Sequence, residues 1–243
     1  MERNSARLLG VSLSGMIHVF NFVTTWLIPP HPVVRRPFPL IDAVKRGDVT
    51  QVRILIEQGA DPNARETQVI MRQGFWRAVI DVPEGNAKPS LILAVSAGNH
   101  EIVRLLLDSG ADINASYGFG VTALECAASN ANEETAKLLI ERGANVNVCG
   151  FDTPLNAAAV AQNRRMIRSL LENGADVNGR DDEGFTALME PAGAGYVNVV
   201  EDLVSAGIDI NAKNNEGRTA LDYAKQYRRS AVEALLLQAG VRA

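Results

Sequence analysis

A chain of 243 residues with 47% hydrophobic but only 5% aromatic content has apolar mass for a sizeable core built from Leu, Ile, Val and Ala. Its formal charge of −4, from 24 basic and 28 acidic residues, excludes the basic face that bulk nucleic-acid binding needs. Two cysteines, Cys126 and Cys149, are too few for a disulfide framework or a thiolate metal cluster.

At the start of the chain, residues 8–28 hold no Asp, Glu, Lys or Arg and are rich in Leu, Val, Ile and Phe. As a helix such a stretch spans roughly 30 Å, the thickness of a bilayer core. Trp26 suits an interface and Pro29-Pro30 ends a helix, whereas His18, Asn21, Gly10 and Gly15 lower the hydropathy. The segment is long for a secretory signal and lacks a small-x-small cleavage pattern. Three readings stay open for residues 1–33: a membrane anchor, a loosely packed extension or an export signal. Arg3 and Arg7 before the segment, against Arg35, Arg36, Lys45 and Arg46 after it, favour the cytoplasmic side for residues 34–243.

Beyond residue 33 one stretch keeps returning. Gly59-Ala60-Asp61-Pro62-Asn63 is followed by Gly110-Ala111-Asp112-Ile113-Asn114, Gly143-Ala144-Asn145-Val146-Asn147 and Gly174-Ala175-Asp176-Val177-Asn178, then by the altered Gly207-Ile208-Asp209-Ile210-Asn211. With Gly240, the leading glycines lie 51, 33, 31, 33 and 33 residues apart. A period near 33 is the mark of stacked supersecondary units. Each glycine follows an apolar run with helical spacing, such as Ile102, Val103, Leu105, Leu106 and Leu107, and reads as a helix stop. Six to eight residues past four of the Asn positions comes Thr122-Ala123-Leu124, Thr153-Pro154-Leu155, Thr186-Ala187-Leu188 or Thr219-Ala220-Leu221, in which the threonine caps a new helix. The recurring Asp residues read as turn formers that hydrogen-bond nearby backbone.

With Thr153-Pro154-Leu155-Asn156-Ala157-Ala158 differing from Thr-Pro-Leu-His-x-Ala only at the His, the chain resembles the ankyrin-repeat family from about residue 34 to 243. Looser copies are Phe38-Pro39-Leu40-Ile41-Asp42-Ala43, Pro89-Ser90-Leu91-Ile92-Leu93-Ala94, Thr122-Ala123-Leu124-Glu125-Cys126-Ala127 and Thr219-Ala220-Leu221-Asp222-Tyr223-Ala224. The resemblance implies an all-α solenoid of six stacked helix-turn-helix repeats joined by β-hairpin-like turns. The expected repeats are 34–65, 86–115, 116–148, 149–181, 182–214 and 215–243. Ordering one such unit costs on the order of 50 kcal/mol in conformational entropy, which one helix pair cannot offset by its own burial. Stability is therefore expected between units, with Val232, Leu235 and Leu236 facing inward from a terminal cap.

Three irregularities interrupt the period. Residues 66–85 are an insertion, in which Val69-Ile70-Met71 and Trp76-Arg77-Ala78-Val79-Ile80 flank Arg72-Gln73-Gly74 as a lengthened hairpin. It is either a tolerated loop or a binding element anchored by Phe75 and Trp76. The turn from Asn147 to Thr153 is two residues short and carries Gly150 and Phe151, for either packing or contact. Pro191 stands where other units have Ala127, Ala158 or Ala224, and predicts a kinked or frayed helix with Gly193 and Gly195 beyond it.

For function, the resemblance implies a protein partner on the concave side, made of turn tips and first helices. Carried over by position, the candidates are Phe119 and Val121, then Phe151 and Asp152, Val160, and Asp182, Glu183 and Phe185. Lys45 and Arg46 lie at one end, and Phe75 and Trp76 in the insertion. An apolar centre with a charged rim suits a protein-binding patch, and the alternative is that the phenylalanines brace adjacent turns. His18, His31 and His100 have no ligand spacing, with His100 expected exposed at a loop-to-helix junction, and no nucleophile elbow or phosphate loop occurs. The expectation is a monomeric, non-catalytic adaptor without cofactor or metal. A secreted or envelope-located effector or protective factor on the same scaffold is the alternative, and an enzyme a distant third.

Overall fold

The computed structural model describes residues 39–66, 86–148, 150 and 152–240. Phe75 and Trp76 with the expected hairpin around them, Phe151, Cys149 and the apolar residues 8–28 lie outside these. Among the described residues no helix is long and apolar enough to cross a membrane.

Twelve helices follow one another in six pairs among the described residues. The first helices are α1 (Pro39–Arg46), α3 (Ser90–Ser96), α5 (Ala123–Ser129), α7 (Pro154–Val160), α9 (Met189–Ala194) and α11 (Ala220–Gln226). Their antiparallel partners are α2 (Val49–Glu57), α4 (His100–Asp108), α6 (Glu133–Glu141), α8 (Arg164–Glu172), α10 (Val197–Ser205) and α12 (Ser230–Gln238). Between α4 and α5 the chain forms a short hairpin of β1 (Ser116–Tyr117) and β2 (Val121–Thr122), with Ser116 opposite Thr122 and Tyr117 opposite Val121. Isolated antiparallel bridges, Arg65 to Pro89 and Arg180 to Thr186, mark the same position in two other units. Glu66 and Lys88 therefore lie at a hairpin position as well, with the Glu66 N–H donating to the Lys88 carbonyl at 2.8 Å.

Local signals explain the helix ends. The Thr122, Thr153 and Thr219 hydroxyls accept the backbone N–H three residues on, and Asp222 returns the bond to Thr219 as a capping box. Four of the second helices are capped by Asp48, Asn99, Asn132 and Asn163 in the same way, a signal that the repeating threonines overshadow in the sequence. After each of five second helices the chain passes through a left-handed glycine, and the next N–H returns to a leucine carbonyl. Ala60 donates to Leu55, Ala111 to Leu106, Ala144 to Leu139, Ala175 to Leu170 and Ile208 to Leu203.

The fifth pair departs from the threonine rule, and here the expectation from Pro191 is corrected. Thr186 does not cap a helix. The Met189 N–H bonds the Thr186 carbonyl at 3.1 Å in a preliminary turn, and α9 begins only at Met189. Pro191 thus falls in the first turn, where its missing N–H deprives the helix of nothing. Its carbonyl accepts the Gly195 and Tyr196 N–H groups at 2.9 Å, as the Ala127 and Ala158 carbonyls accept Asn132 and Asn163. The helix is shortened at its start, not kinked in its middle. Gly193 also has a packing reason, since a Cβ there would meet the Tyr227 ring at 3.2 Å.

One core runs through the stack. Leu91, Ile92, Ile102, Leu106, Leu124, Leu139, Met166, Ile167, Leu170, Leu188, Met189 and Leu203 are fully buried between neighbouring pairs. In the last helix Val232 and Leu236 are buried, Leu235 is half-buried and Leu237 faces out, close to the expected terminal cap.

A second, polar seam joins the units. The Asp of each Gly-Ala-Asp-x-Asn stretch accepts the N–H of its own Asn, as in Asp112 Oδ1 from Asn114 at 3.0 Å and Asp176 Oδ1 from Asn178 at 2.9 Å. Each Asn then reaches forward. Asn63 Oδ1 accepts the Asp112 N–H at 2.7 Å, Asn114 that of Asn145 at 2.9 Å, Asn147 that of Asp176 at 2.7 Å and Asn178 that of Asp209 at 2.7 Å. Asn147 also donates through Nδ2 to the Gly174 carbonyl at 2.9 Å. The ladder crosses the 66–85 insertion through Asn63, so the extra residues do not interrupt the stack.

Replacing Asn147 by Ala removes both cross-unit bonds and leaves the Asp176 N–H and Gly174 carbonyl to solvent. A loss of about 1–3 kcal/mol of unfolding free energy is expected by urea titration. A loss below about 0.5 kcal/mol, an ordinary surface value, would mean that the seam carries no stability.

Candidate functional site

The hairpin tips and the first helices share one side of the stack, and their side chains fall into two groups. The tip of β1–β2 carries Phe119, 79% exposed, between Gly118 and Gly120. This tip sits backbone to backbone on the next unit: a Cβ on Gly150 would lie 2.7 Å from the Gly120 carbonyl oxygen, and one on Gly120 would lie 2.9 Å from the Gly150 Cα. Only glycine at both positions allows that approach, which explains Gly150 in the short turn. Val121 is half-buried below the tip, and Val160, 41% exposed, ends α7.

Phe185 belongs to the bracing class. It is half-buried, its ring centroid is 5.4 Å from that of Tyr223, and the two rings are tilted by 41°. Asp181 organises this tip by accepting from the Glu183 and Phe185 N–H groups at 2.9 and 2.7 Å. Asp182 and Glu183 themselves are exposed, and their carbonyls accept from Asn215 Nδ2 and the Asn215 N–H, each at 3.0 Å. At the other end, Lys45 pairs with Glu66 and Arg46 is exposed. Phe119 and Val160 are thus presented to solvent, Phe185 is partly spent on packing, and Lys45 is engaged at the base of the insertion.

Between α7 and α9 lies a shallow depression open to solvent, bordered by Asp152, Asn156, Val160, Asp181, Phe185 and Glu190. Burial pushes the Asp152 carboxyl up to about 6 against the hydrogen bonds from Thr153 and Asn156, with Glu190 and Asp181 adding to the rise. Partial cover, then Asp181 and Glu183, raise Glu190. Next to this group, Glu125 of α5 is buried and pushed up to about 7, by burial first and the Asp152 charge second. The neighbouring Cys126 thiol rises to about 11 through burial and Glu125, so it stays protonated and a poor nucleophile. Among the described residues no group of three His, Cys, Asp or Glu is arranged to hold a metal ion. Sequence reasoning placed Asp152 here but missed Glu125, Asn156, Asp181 and Glu190. The departures from the family His at Glu125 and Asn156 were the available signal, since a polar group at a buried helix position needs a partner.

The opposite side, made by the second helices, is closed by ion pairs between successive units. Arg53 meets Glu101 at 3.4 Å, Arg142 meets Asp108 at 2.7 Å, Arg165 meets Glu133 at 3.9 Å, and Arg164 grips Asp202 through two nitrogens. His100 is not simply exposed as expected. Its Nδ1 lies 2.6 Å from the Thr135 hydroxyl and its Nε2 3.5 Å from Glu134, so it links α4 to α6.

The family model described as Ankyrin repeats (3 copies) matches residues 40–149 and 148–214. This chain belongs to the ankyrin-repeat family. The putative ankyrin repeat protein FPV031 of fowlpox virus (strain NVSL) is 33% identical over 180 residues, covering 72% of this chain and 47% of the viral protein. The E3 ubiquitin-protein ligase XBAT33 of Arabidopsis thaliana is 44% identical over 52 residues, covering 21% of this chain and 10% of the plant protein. The chain therefore spans under half of the length of either relative. Ankyrin repeats in general mediate protein–protein interaction, and these helix pairs with their hairpin turns are the ankyrin arrangement.

Glu125 gives a pH test with a defined sign. Its folded pKa is raised, so the folded protein keeps a proton that the unfolded chain releases. Stability from this group therefore falls as pH rises from about 4.5 toward 7, and the penalty is complete above that range. Glu125→Gln should raise the unfolding free energy by up to roughly 3 kcal/mol near pH 8 and leave it almost unchanged near pH 4. An equal effect at both pH values in thermal melts would remove burial of the charge as the cause.

Proposed function

We propose that this protein is a non-catalytic interaction scaffold that binds a macromolecular partner, a protein, on the concave side formed by its hairpin tips and first helices. The observation that carries this reading is the grouping of exposed Phe119 and Val160 with carboxylates of raised pKa on the tip and first-helix side. The second helices pair several of their charges with each other from unit to unit. On the tip and first-helix side the ion pairs among the described residues are Lys45 with Glu66 and Arg218 with Glu216. Its middle presents Phe119 and Val160 beside carboxylates with raised pKa values. A surface that keeps apolar groups and uncompensated charge at its centre is arranged for a complement from outside. The repeats from 34 to 243 would act as one binding domain, with residues 1–33 preceding it.

Affinity capture with the native chain, followed by mass spectrometry, supplies the partner for the test. Phe119→Ser combined with Val160→Ser should weaken that capture at least about tenfold with an unchanged melting temperature, the loss of two central contacts. Arg165→Ala combined with Lys137→Ala, on the second-helix side, should leave capture intact. The reverse pattern would place the interface on the other side.

A further inference from the structure

Three carboxylates border the depression between α7 and α9, together with the polar side chains of Asn156 and Thr186. Asp152, Asp181 and Glu190 bring carboxylates, and none of them takes part in a salt bridge among the described residues. Asn156 adds a different kind of signal. The residue is 6% exposed, its Nδ2 donates to the Phe185 carbonyl at 3.3 Å, and its Oδ1 is buried without any hydrogen-bond partner. An unsatisfied buried acceptor is costly, and here it borders a cavity already rich in negative charge. Val160 and the Phe185 ring form the apolar wall of the same depression.

We infer that this depression receives a single basic side chain, lysine or arginine, from the protein partner. The inference rests on the concave-side interface proposed for this protein and specifies the chemistry of its centre. A guanidinium or ammonium carries several donors and no acceptor, which matches three carboxylates that no cation answers. Its methylene stem fits against Val160 and Phe185 while the charged end meets the carboxylates. The depression is shallow and open to solvent, so the charged end would lie on its surface and not in an enclosed cavity. A metal ion is a poorer occupant, since no three acidic groups among the described residues converge as ligands. The raised pKa values of Asp152 and Glu190 fit as well, since burial first and neighbouring carboxylates second oppose their ionisation, and a cation would relieve both.

The test is a nuclear magnetic resonance titration of the isotope-labelled full chain with the peptide acetyl-Leu-Arg-Leu-amide, near pH 7.5. Amide shifts centred on Asp152 to Asn156 and Phe185 to Glu190 are expected. The neutral peptide acetyl-Leu-norleucine-Leu-amide, of similar shape, should bind at least about tenfold more weakly, and so should the arginine peptide to the folded Asp152→Asn, Glu190→Gln variant. Equal binding of the two peptides to the native chain, or shifts elsewhere, overturns the inference without reference to any variant. The captured partner separates this inference from the scaffold reading. Capture lost in Phe119→Ser, Val160→Ser but complete in Asp152→Asn, Glu190→Gln refutes the basic side chain and leaves the concave side as the interface.

Discussion

The structure depends on one repeated bond, the side-chain oxygen of each Asn taking a backbone N–H of the following unit. Stacking of Leu, Ile, Val and Ala faces supplies most of the burial, but apolar contact is non-directional and allows neighbouring pairs to slide. The bonds from Asn63, Asn114, Asn147 and Asn178 fix the register along one edge. They start from turns that Asp61, Asp112, Asn145, Asp176 and Asp209 hold locally, so one short motif closes its own turn and locks the next. With that edge fixed, the hairpin tips line up and the first helices present one continuous side.

The two long sides then diverge because their charges are spent differently. Pairs such as Arg142 with Asp108 are exposed and individually worth little, but on the second-helix side they link successive units. On the other side Glu125, Asp152 and Glu190 are placed where burial and mutual repulsion work against ionisation. Buried acidic groups and the lone Asn156 oxygen are a stability cost that packing alone would not call for. Asp152, Glu190 and Asn156 border the same depression as Val160 and Phe185, where the proposed interface would use them.

Much of this was readable from the chain because the signals repeat. Gly-Ala-Asp-x-Asn at a near-constant spacing and threonine before a small residue or proline fix helix ends by local chemistry, and local chemistry is what a sequence shows. The cross-unit role of Asn63 or Asn147 was hidden, since it depends on which turn lies alongside. Pro191 misled for a related reason. Its cost depends on where the helix starts, and the shift of that start from Thr186 to Met189 follows from the turn that precedes it. Phe119 and Phe185 occupy the same kind of tip in the sequence, yet Tyr223 covers one ring only in the folded stack. The acidic centre was read only at Asp152, because Glu125 and Glu190 come near it through stacking and not through spacing.

The central claim is that the units have no stability of their own and acquire it at the seams between them. Circular dichroism of the isolated segment 116–148, compared with the three-unit segment 86–181, tests this most directly. The account predicts a disordered spectrum for the single unit and a helical spectrum with cooperative melting for the longer piece. Native-like helicity in the single unit, melting independently of added neighbours, would contradict it.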